Sequence, residues 1–399
     1  MRSRGFTSIW LLPILAALLV LTLAVMRGSQ NIRSVWYQQN VADNMASSAA
    51  TLLARELNLL ALINRALLAN ELTLAQLAGL YSWFQMMRDV VDRNAAVSTW
   101  IPYLNSVTRQ IAVAVGHAER PLTAIIRSTL YFQHLITTAL RATQWFARLT
   151  FSLEIPRTLA EVLAHHDVEQ PSWQVLHAPG LIQLPWLWWS YVPAQHSGND
   201  SGLAHRLMLA SMDGFTRERS YKWFSALQVS VKKAGAARLQ SDTRGHWSWQ
   251  SMDTVAIHIT GLLDSEEIPW GDGLSYLGHK VSQYGPNDFG NSPTINPRTS
   301  AWAQAMQHSL TDTARRFNYF NRRDLEPDDW PQVIVVLNDV TAKAGVFFSR
   351  PQSLFPRIDA ASEQANLFNS LWQPQLLSLT LAEKGLLASL YSGGQENEN

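Results

Sequence analysis

Hydrophobic and polar positions divide the chain into an apolar run, a helical stretch and a strand-rich stretch. Residues 6–26 (FTSIWLLPILAALLVLTLAVM) carry no charged side chain. At ~1.5 Å rise per residue such a run covers roughly 31 Å, about one hydrocarbon core. Lipid offers backbone groups no partners, so a single span must be a helix. Pro13 falls near its start, where a missing donor does least harm. A cleavable secretory signal has a shorter apolar core and a small-x-small exit, and Leu23-Ala24-Val25-Met26-Arg27 offers no Ala-x-Ala site. An uncleaved anchor is therefore favoured. A buried helix of a soluble protein would show a polar stripe, and none is present. Three positive groups precede the span (the amino terminus, Arg2, Arg4) and two follow it (Arg27, Arg33), which points the N-terminus to the cytoplasm.

Beyond the span the pattern is helical. Asn44, Ser48, Thr51, Arg55, Asn58 and Arg65 recur at steps of mostly four and three, so they share one face. Ala42, Met45, Ala49, Leu53, Leu57, Leu60 and Leu67 lie opposite. The helix is expected to continue from the membrane as a stem, with Gly28 a candidate bend. Pro102, Pro121 and Pro156 each open a helical pattern, a position where the ring is tolerated. The expected pieces are residues 72–93, 103–120, 121–151 and 156–166, forming a bundle or hairpin array.

Composition shifts near Glu169 toward Gly, Pro, Ser and aromatics. Expected strands are 225–232, 247–260, 332–340 and 344–349. Val333-Ile334-Val335-Val336-Leu337 suits a buried central strand, and Asn338-Asp339 a turn into the next one. The Gly-, Pro-, Asn- and Asp-rich segment 266–297 reads as an ordered loop or an excursion from the sheet, and 392–399 (SGGQENEN) as a flexible tail. Residues 181–192 (LIQLPWLWWSYV) are apolar and Trp-rich but too short to span, and Pro185 interrupts them. A buried strand or loop is favoured there; an interfacial membrane contact stays open. The expected fold class is thus α+β, with four parts. These are a transmembrane anchor (1–27), a helical stem and bundle (28–168), an antiparallel strand-rich domain (169–391) and the tail (392–399).

Composition narrows the function. The chain has 399 residues, 47% hydrophobic and 16% charged, a balance that excludes disorder for most of it. The net charge of +1 shows no basic excess, so no nucleic-acid partner is expected. Cysteine is absent, which removes disulfides, thiolate metal sites and cysteine nucleophiles, and suits an oxidising compartment. His165-His166-Asp167 is the most metal-like cluster, but adjacent histidines diverge on a helix. No HExxH, GxSxG, P-loop or GxGxxG occurs, and Gly271-Asp272-Gly273 is a lone Gly pair. Loop 287–291 lacks EF-hand spacing. No metal, cofactor or catalytic residue is expected. Asn58, Asn64, Arg65, Asn70 and Glu71 interrupt an apolar helix pair. They read either as a surface for a partner helix or, preferred, as hydrogen bonds inside the bundle.

Several segments resemble a known family. Arg4-Gly5 before an apolar span, then residues 39–50 (QNVADNMASSAA), resembles the start of TadE/TadG-like proteins of the bacterial Flp (tight adherence) pilus system. Residues 54–58 (ARELN) and 64–71 (NRALLANE) look like a long TadG-like subgroup of gram-negative bacteria, as do 249–254 (WQSMDT), 344–351 (AGVFFSRP) and 366–373 (NLFNSLWQ). The resemblance implies a pseudopilin-like, single-pass inner-membrane protein with a periplasmic domain and no enzyme activity. Its expected partners are the lipid bilayer and other Tad/Flp-type envelope proteins, or self-association. Gly5-Phe6 matches the dipeptide cut by prepilin-type peptidases, yet Trp10 stands where that family wants Glu. In pilins that Glu is thought to neutralise a neighbour's new amino terminus, and without it the charge is unpaired in lipid. No cleavage and no bulk-filament role are therefore expected.

The leading reading is a structural or assembly component of a Flp/Tad-type pilus or related envelope secretion apparatus. A periplasmic ligand-binding or sensor module signalling through a partner is the alternative, since about five residues before the span hold no output domain. An envelope hydrolase would have to use the region of Asp272, His279 and His308.

Overall fold

The computed structural model describes residues 6–98, 104–178, 194–195, 203–241, 246–261, 265–278, 289–305, 315–316, 319–320, 330–351, 353–356, 358, 363 and 365–395. The fold is α+β: long helices come first, then antiparallel sheets. Helix α1 (Phe6–Ser98) is one uninterrupted helix of 93 residues, ~140 Å long. It continues through Gly28, the candidate bend, without a break in the helix.

Helix α2 (Leu104–Ala164) returns along α1. Asn70 meets Gln133 and Thr137, Asn64 meets Gln144, and Tyr37 meets His166, so the two helices run antiparallel. Pro121 and Pro156 do not open new helices; both lie inside α2. Ile126, Ile155 and Leu159 are buried immediately around them, and this packing carries the helix across two rings that local propensity reads as breaks. Pro102 lies outside the described residues.

Strands β1 (Trp173–Ala178), β9 (Gln332–Leu337), β10 (Val340–Phe348) and β11 (Trp372–Leu377) form a four-stranded antiparallel sheet, hereafter the proximal sheet, in the order β1-β9-β10-β11. β9 is central and wholly buried, as its apolar run predicts. The distal sheet has the order β3-β4-β5-β6, with β7 added on β5. Its members are β3 (Tyr221–Ala226), β4 (Val229–Ser241), β5 (His246–Thr260), β6 (Ser265–Gly278) and β7 (Arg315–Arg316). β2 (Ala194–Gln195) pairs with β8 (Tyr319–Phe320). Helices α3 (Leu203–Ser211), α4 (Gly214–Arg217), α5 (Ser292–Ile295), α6 (Pro297–Ala305) and α7 (Leu381–Gln395) complete the fold.

Three expectations for this half are corrected. The strand expected over 225–232 is instead a hairpin, turning at Leu227-Gln228 between β3 and β4. Segment 266–297 is not a loop throughout, because its first part is the 14-residue strand β6. The start of the expected tail is helical, since α7 runs to Gln395.

α1 is the spine of the core. Its residues 41–57 pack on the proximal sheet through Val333, Val335, Ala344 and Trp372, joined by Ile155 and Leu159 of α2. Residues 63–78 meet Met208, Trp249, Leu277 and Phe368. Residues 84–90 meet Val231, Val255 and Trp270. α7 covers the outer face of the proximal sheet with Leu387, and α6 that of the distal sheet with Ala303.

Candidate functional site

Among the described residues, two exposed apolar stretches on the long helices and three clusters of buried charge stand out as candidates. The first exposed place is the start of α1. Over residues 13–36 every side chain is exposed, including Ile14, Leu18, Leu21 and Val25, and no described element packs on them. Among the described residues α1 holds the one helical segment long and apolar enough to cross a membrane. Burial begins at Val41, where the proximal sheet takes over. Phe6 opens α1, and Gly5 lies outside the described residues.

The five polar positions singled out on α1 separate. Asn58 acts as a backbone surrogate: its Nδ2 donates to Trp372 O (2.9 Å) and its Oδ1 accepts from Trp372 N (3.0 Å). Asn64 donates to Leu367 O (2.8 Å) and accepts from Gln144 Nε2 (2.5 Å). Asn70 donates to Gln133 O (3.1 Å) and Thr137 Oγ1 (2.5 Å) on α2. Glu71 is buried, whereas Arg65 points to water. Asn64 and Asn70 thus join the helices, while Asn58 and Asn64 tie the loop at 366–372 onto the spine. His166 Nδ1 lies 3.5 Å from Tyr37 Oη, and no metal-binding group of His, Cys, Asp and Glu forms among the described residues.

The first buried charge cluster sits between α1 and the distal sheet. Arg219 grips Asp253 with a two-pronged fork, Nε to Oδ1 at 3.0 Å and Nη2 to Oδ2 at 2.8 Å. Lys233 Nζ lies 2.5 Å from Asp253 Oδ1 and donates to Arg219 O at 2.8 Å. Ser82 of α1 reaches Asp253 Oδ2, and Ser251 accepts from Arg219 Nη2 at 2.7 Å. A Cβ on Gly235 would overlap the Asp253 carboxylate, so only glycine leaves room there. Burial and Arg219 push the Lys233 pKa down, while Asp253 pulls it up. The side chains of Arg219, Lys233 and Asp253 are at most 3% exposed, so no substrate reaches them. The cluster locks helix to sheet.

The second cluster joins Asp89 and Arg93, one turn apart on α1, to Asp272 of β6. Arg93 Nη2 is 2.7 Å from Asp272 Oδ1, and Asp89 Oδ2 accepts from the Asp272 backbone N–H at 3.0 Å. Burial and the neighbouring Asp89 carboxyl raise the Asp272 pKa to about 7 against the opposing pull of Arg93. His279 and His308, the other members of the hydrolase reading, lie outside the described residues. The third cluster is Glu56 facing Arg148: burial raises Glu56 to about 7, and the guanidinium opposes it.

Gly271 and Gly273, flanking Asp272, have a structural role that a motif search misses. A Cβ on Gly273 would overlap Ser82 O and crowd Met86 N of α1, and one on Gly271 would meet Met86 O at 2.7 Å. The two glycines let β6 lie directly against the spine.

The second exposed apolar place is α2. Its inner face, carrying Ile126, Gln133, Thr137, Gln144 and Ala147, packs on α1. The opposite face shows Ile125, Phe132, Leu135, Ile136, Phe146 and Leu153 to water. Ile125, Phe132, Ala139, Phe146 and Leu153 recur every seven residues. Between Pro121 and Leu153 there is no acidic residue, and the basic ones share one column: Arg127, His134, Arg141 and Arg148. Sequence reasoning missed this face, although both seven-residue columns are visible in the sequence.

Comparison with known proteins finds no matching family model, no matching curated protein and no matching solved structure.

Proposed function

We propose that this chain is a single-pass membrane protein whose body works by contacting other proteins. The observation that carries this reading is the continuity of α1. One helix runs from a fully exposed apolar length into the centre of every inner core. A bilayer accounts for apolar exposure around the whole circumference, as no soluble surface does. The body then stands outside the membrane on a rigid stem.

The excess of positive groups before the span favours a cytoplasmic N-terminus and a periplasmic body. The absence of cysteine suits that compartment. The residues shared with TadE/TadG-like proteins favour assembly of a Flp-type pilus or a related envelope apparatus. Four of the segments carrying that likeness converge in the fold: Asn58 and Asn64 of α1 hold the 366–373 loop, and Trp249 of 249–254 packs in the same core as Phe368.

The test is extraction of full-length protein, made in bacteria, with alkaline carbonate. Retention in the membrane pellet is expected; recovery in the supernatant overturns the anchor. A single cysteine placed at the exposed Leu227 tests orientation. It is expected to react with a membrane-impermeant maleimide in spheroplasts, and labelling only after lysis overturns the periplasmic placement.

A further inference from the structure

We infer that the outward face of α2 docks a second copy of this chain, the two α2 helices packing parallel and in register. This rests on the membrane-anchored reading, because the anchor is what fixes their relative direction.

The period of the face names its partner class. Apolar side chains at 125, 132, 139, 146 and 153, with Leu135, Ala142 and Leu149 between them, give a seam repeating every 3.5 residues. That repeat keeps one helix facing another as the two coil, and a flat sheet or a loop has no use for it. The seam covers ~42 Å from Ile125 to Leu153. Ala139 and Ala142 lie at its middle, where small side chains let two backbones approach.

The charges permit self-association. Every cation between Pro121 and Leu153 lies in the column of Arg127, which points about 130° away from the seam. The positions flanking the seam hold Tyr131, Ile136, Thr138, Thr143 and Trp145, all uncharged. Two identical seams therefore meet with no like charges opposed. An acidic partner would find the cations off to one side.

The area is sufficient. Tyr131, Phe132, Trp145 and Phe146 are each between 59% and 68% exposed. Together these rings leave about 500 Å² in water, at ~200 Å² per ring. That is more than half of the ~800 Å² per partner in a standard stable interface, before Ile125, Leu135, Ile136 and Leu153 are counted.

Lipid is out of reach. Phe132 stands at the level of Asn70, which follows Met26 by 44 positions along α1, on the order of 65 Å beyond the apolar length. Two copies anchored in one bilayer present their seams in the same direction and at the same height, so residue meets like residue.

The chain has no native cysteine, so disulfide trapping reads the seam directly. Phe132→Cys, Leu135→Cys, Ala139→Cys and Phe146→Cys, with Arg127→Cys and His134→Cys as off-seam controls, are oxidised in membranes co-expressing two tagged forms. The expected result is a mixed-tag dimer at the four seam positions, about fivefold above the controls. Adding Phe146→Glu to Ala139→Cys is expected to lower that dimer about tenfold with carbonate retention unchanged. Equal yield at seam and control positions overturns the proposal, as does no dimer at any of them or adducts only with a different protein. A seam cysteine inert to both oxidation and maleimide also overturns it, since something else then covers the face. Release by carbonate is a separate outcome that strikes the anchor itself.

Discussion

The two sheets lean on the same helix and meet it in opposite ways. The proximal sheet meets α1 through Val333, Val335, Ala342, Ala344 and Trp372, against Ala42, Met45, Ala49 and Leu53. The distal sheet carries an ion cluster into its contact, with Arg219, Lys233 and Asp253 enclosed and Ser82 of α1 bonded to the carboxylate. Apolar packing falls off smoothly when a side chain is trimmed or a helix slides. A buried ion network is satisfied in one arrangement and costly in every other. The distal contact therefore fixes the depth and rotation of the spine through charge, while the proximal contact is mostly apolar burial with neutral hydrogen bonds from Asn58 to Trp372 and from Gln39 to Thr341.

The sharpest break of this contrast is Asp253→Ala. It leaves two enclosed cations without their carboxylate and is expected to cost about 3–5 kcal/mol. Val335→Ala in the proximal sheet removes two methyl groups and is expected to cost about 2 kcal/mol. Chemical denaturation of the full-length protein in detergent measures both. Equal costs would show that the cluster is no more than ordinary packing. Replacing Arg219, Lys233 and Asp253 together by Met, Met and Leu is expected to recover most of the loss, because no charge is then stranded.

The same contrast explains what could be read from the sequence. The exposed apolar length, the helix continuing beyond it and strand β9 were legible because each is a periodic or uniform apolar run. β5 was legible for the same reason, as 247–260 alternates apolar and polar residues. β6 was not, since Pro269, Gly271 and Gly273 spell a turn to any local rule. In the fold Pro269 sits at a bulge, where the pairing with β5 skips Trp270, and the glycines admit α1. The ion cluster was illegible because Ser82, Arg219, Lys233 and Asp253 come from four separate elements or their ends. Only the register of β4 on β5 and the approach of α1 bring them together. Asn58 and Asn64 were recognised as odd polar positions, but their partners lie some 300 residues away.

A second way to separate the two regions is pH. Glu56 belongs to the length of α1 against the proximal sheet, Asp272 to the distal one, and burial is the leading cause that raises each to about 7. In the unfolded chain both ionise near 4 to 4.5. The folded state then holds more protons between those values, so stability is full below about pH 4 and declines as pH rises through about 7. Burial also opposes ionisation of Asp213 and Glu383, but hydrogen bonds from Thr216 to Asp213 and from Lys343 to Glu383 outweigh it and lower both pKa values. Their contribution is lost only as pH falls below the ordinary carboxylate range, outside a pH 5–8 window. Melts in that window are expected to show a loss on the order of 5 kcal/mol from pH 5 to pH 8, about half from each carboxyl. Glu56→Gln and Asp272→Asn should each flatten part of the slope. If one variant removes all of it, the proton linkage belongs to a single sheet.

The smallest effect sharpens the comparison at the hairpins. Each sheet has a two-residue turn whose first residue is left-handed: Asn338 at φ 51° in the proximal sheet and Leu227 at φ 53° in the distal one. Asn tolerates that region because its short polar side chain bonds locally, and Asn338 Oδ1 accepts from Ser172 N at 2.9 Å. Leu227 has no such compensation; its side chain is fully exposed and pays for the left-handed backbone with nothing in return. Leu227→Asn is therefore expected to stabilise the protein by about 1 kcal/mol. Asn338→Leu should destabilise it by about 2 kcal/mol, since the strain is added and the bond to Ser172 is lost. Thermal melts of the two variants should shift in opposite directions. A Leu227→Asn protein no more stable than the parent would mean that the exposed leucine is held by a contact of its own, and a seam cysteine series at the β3–β4 tip would be the next place to look for a neighbour.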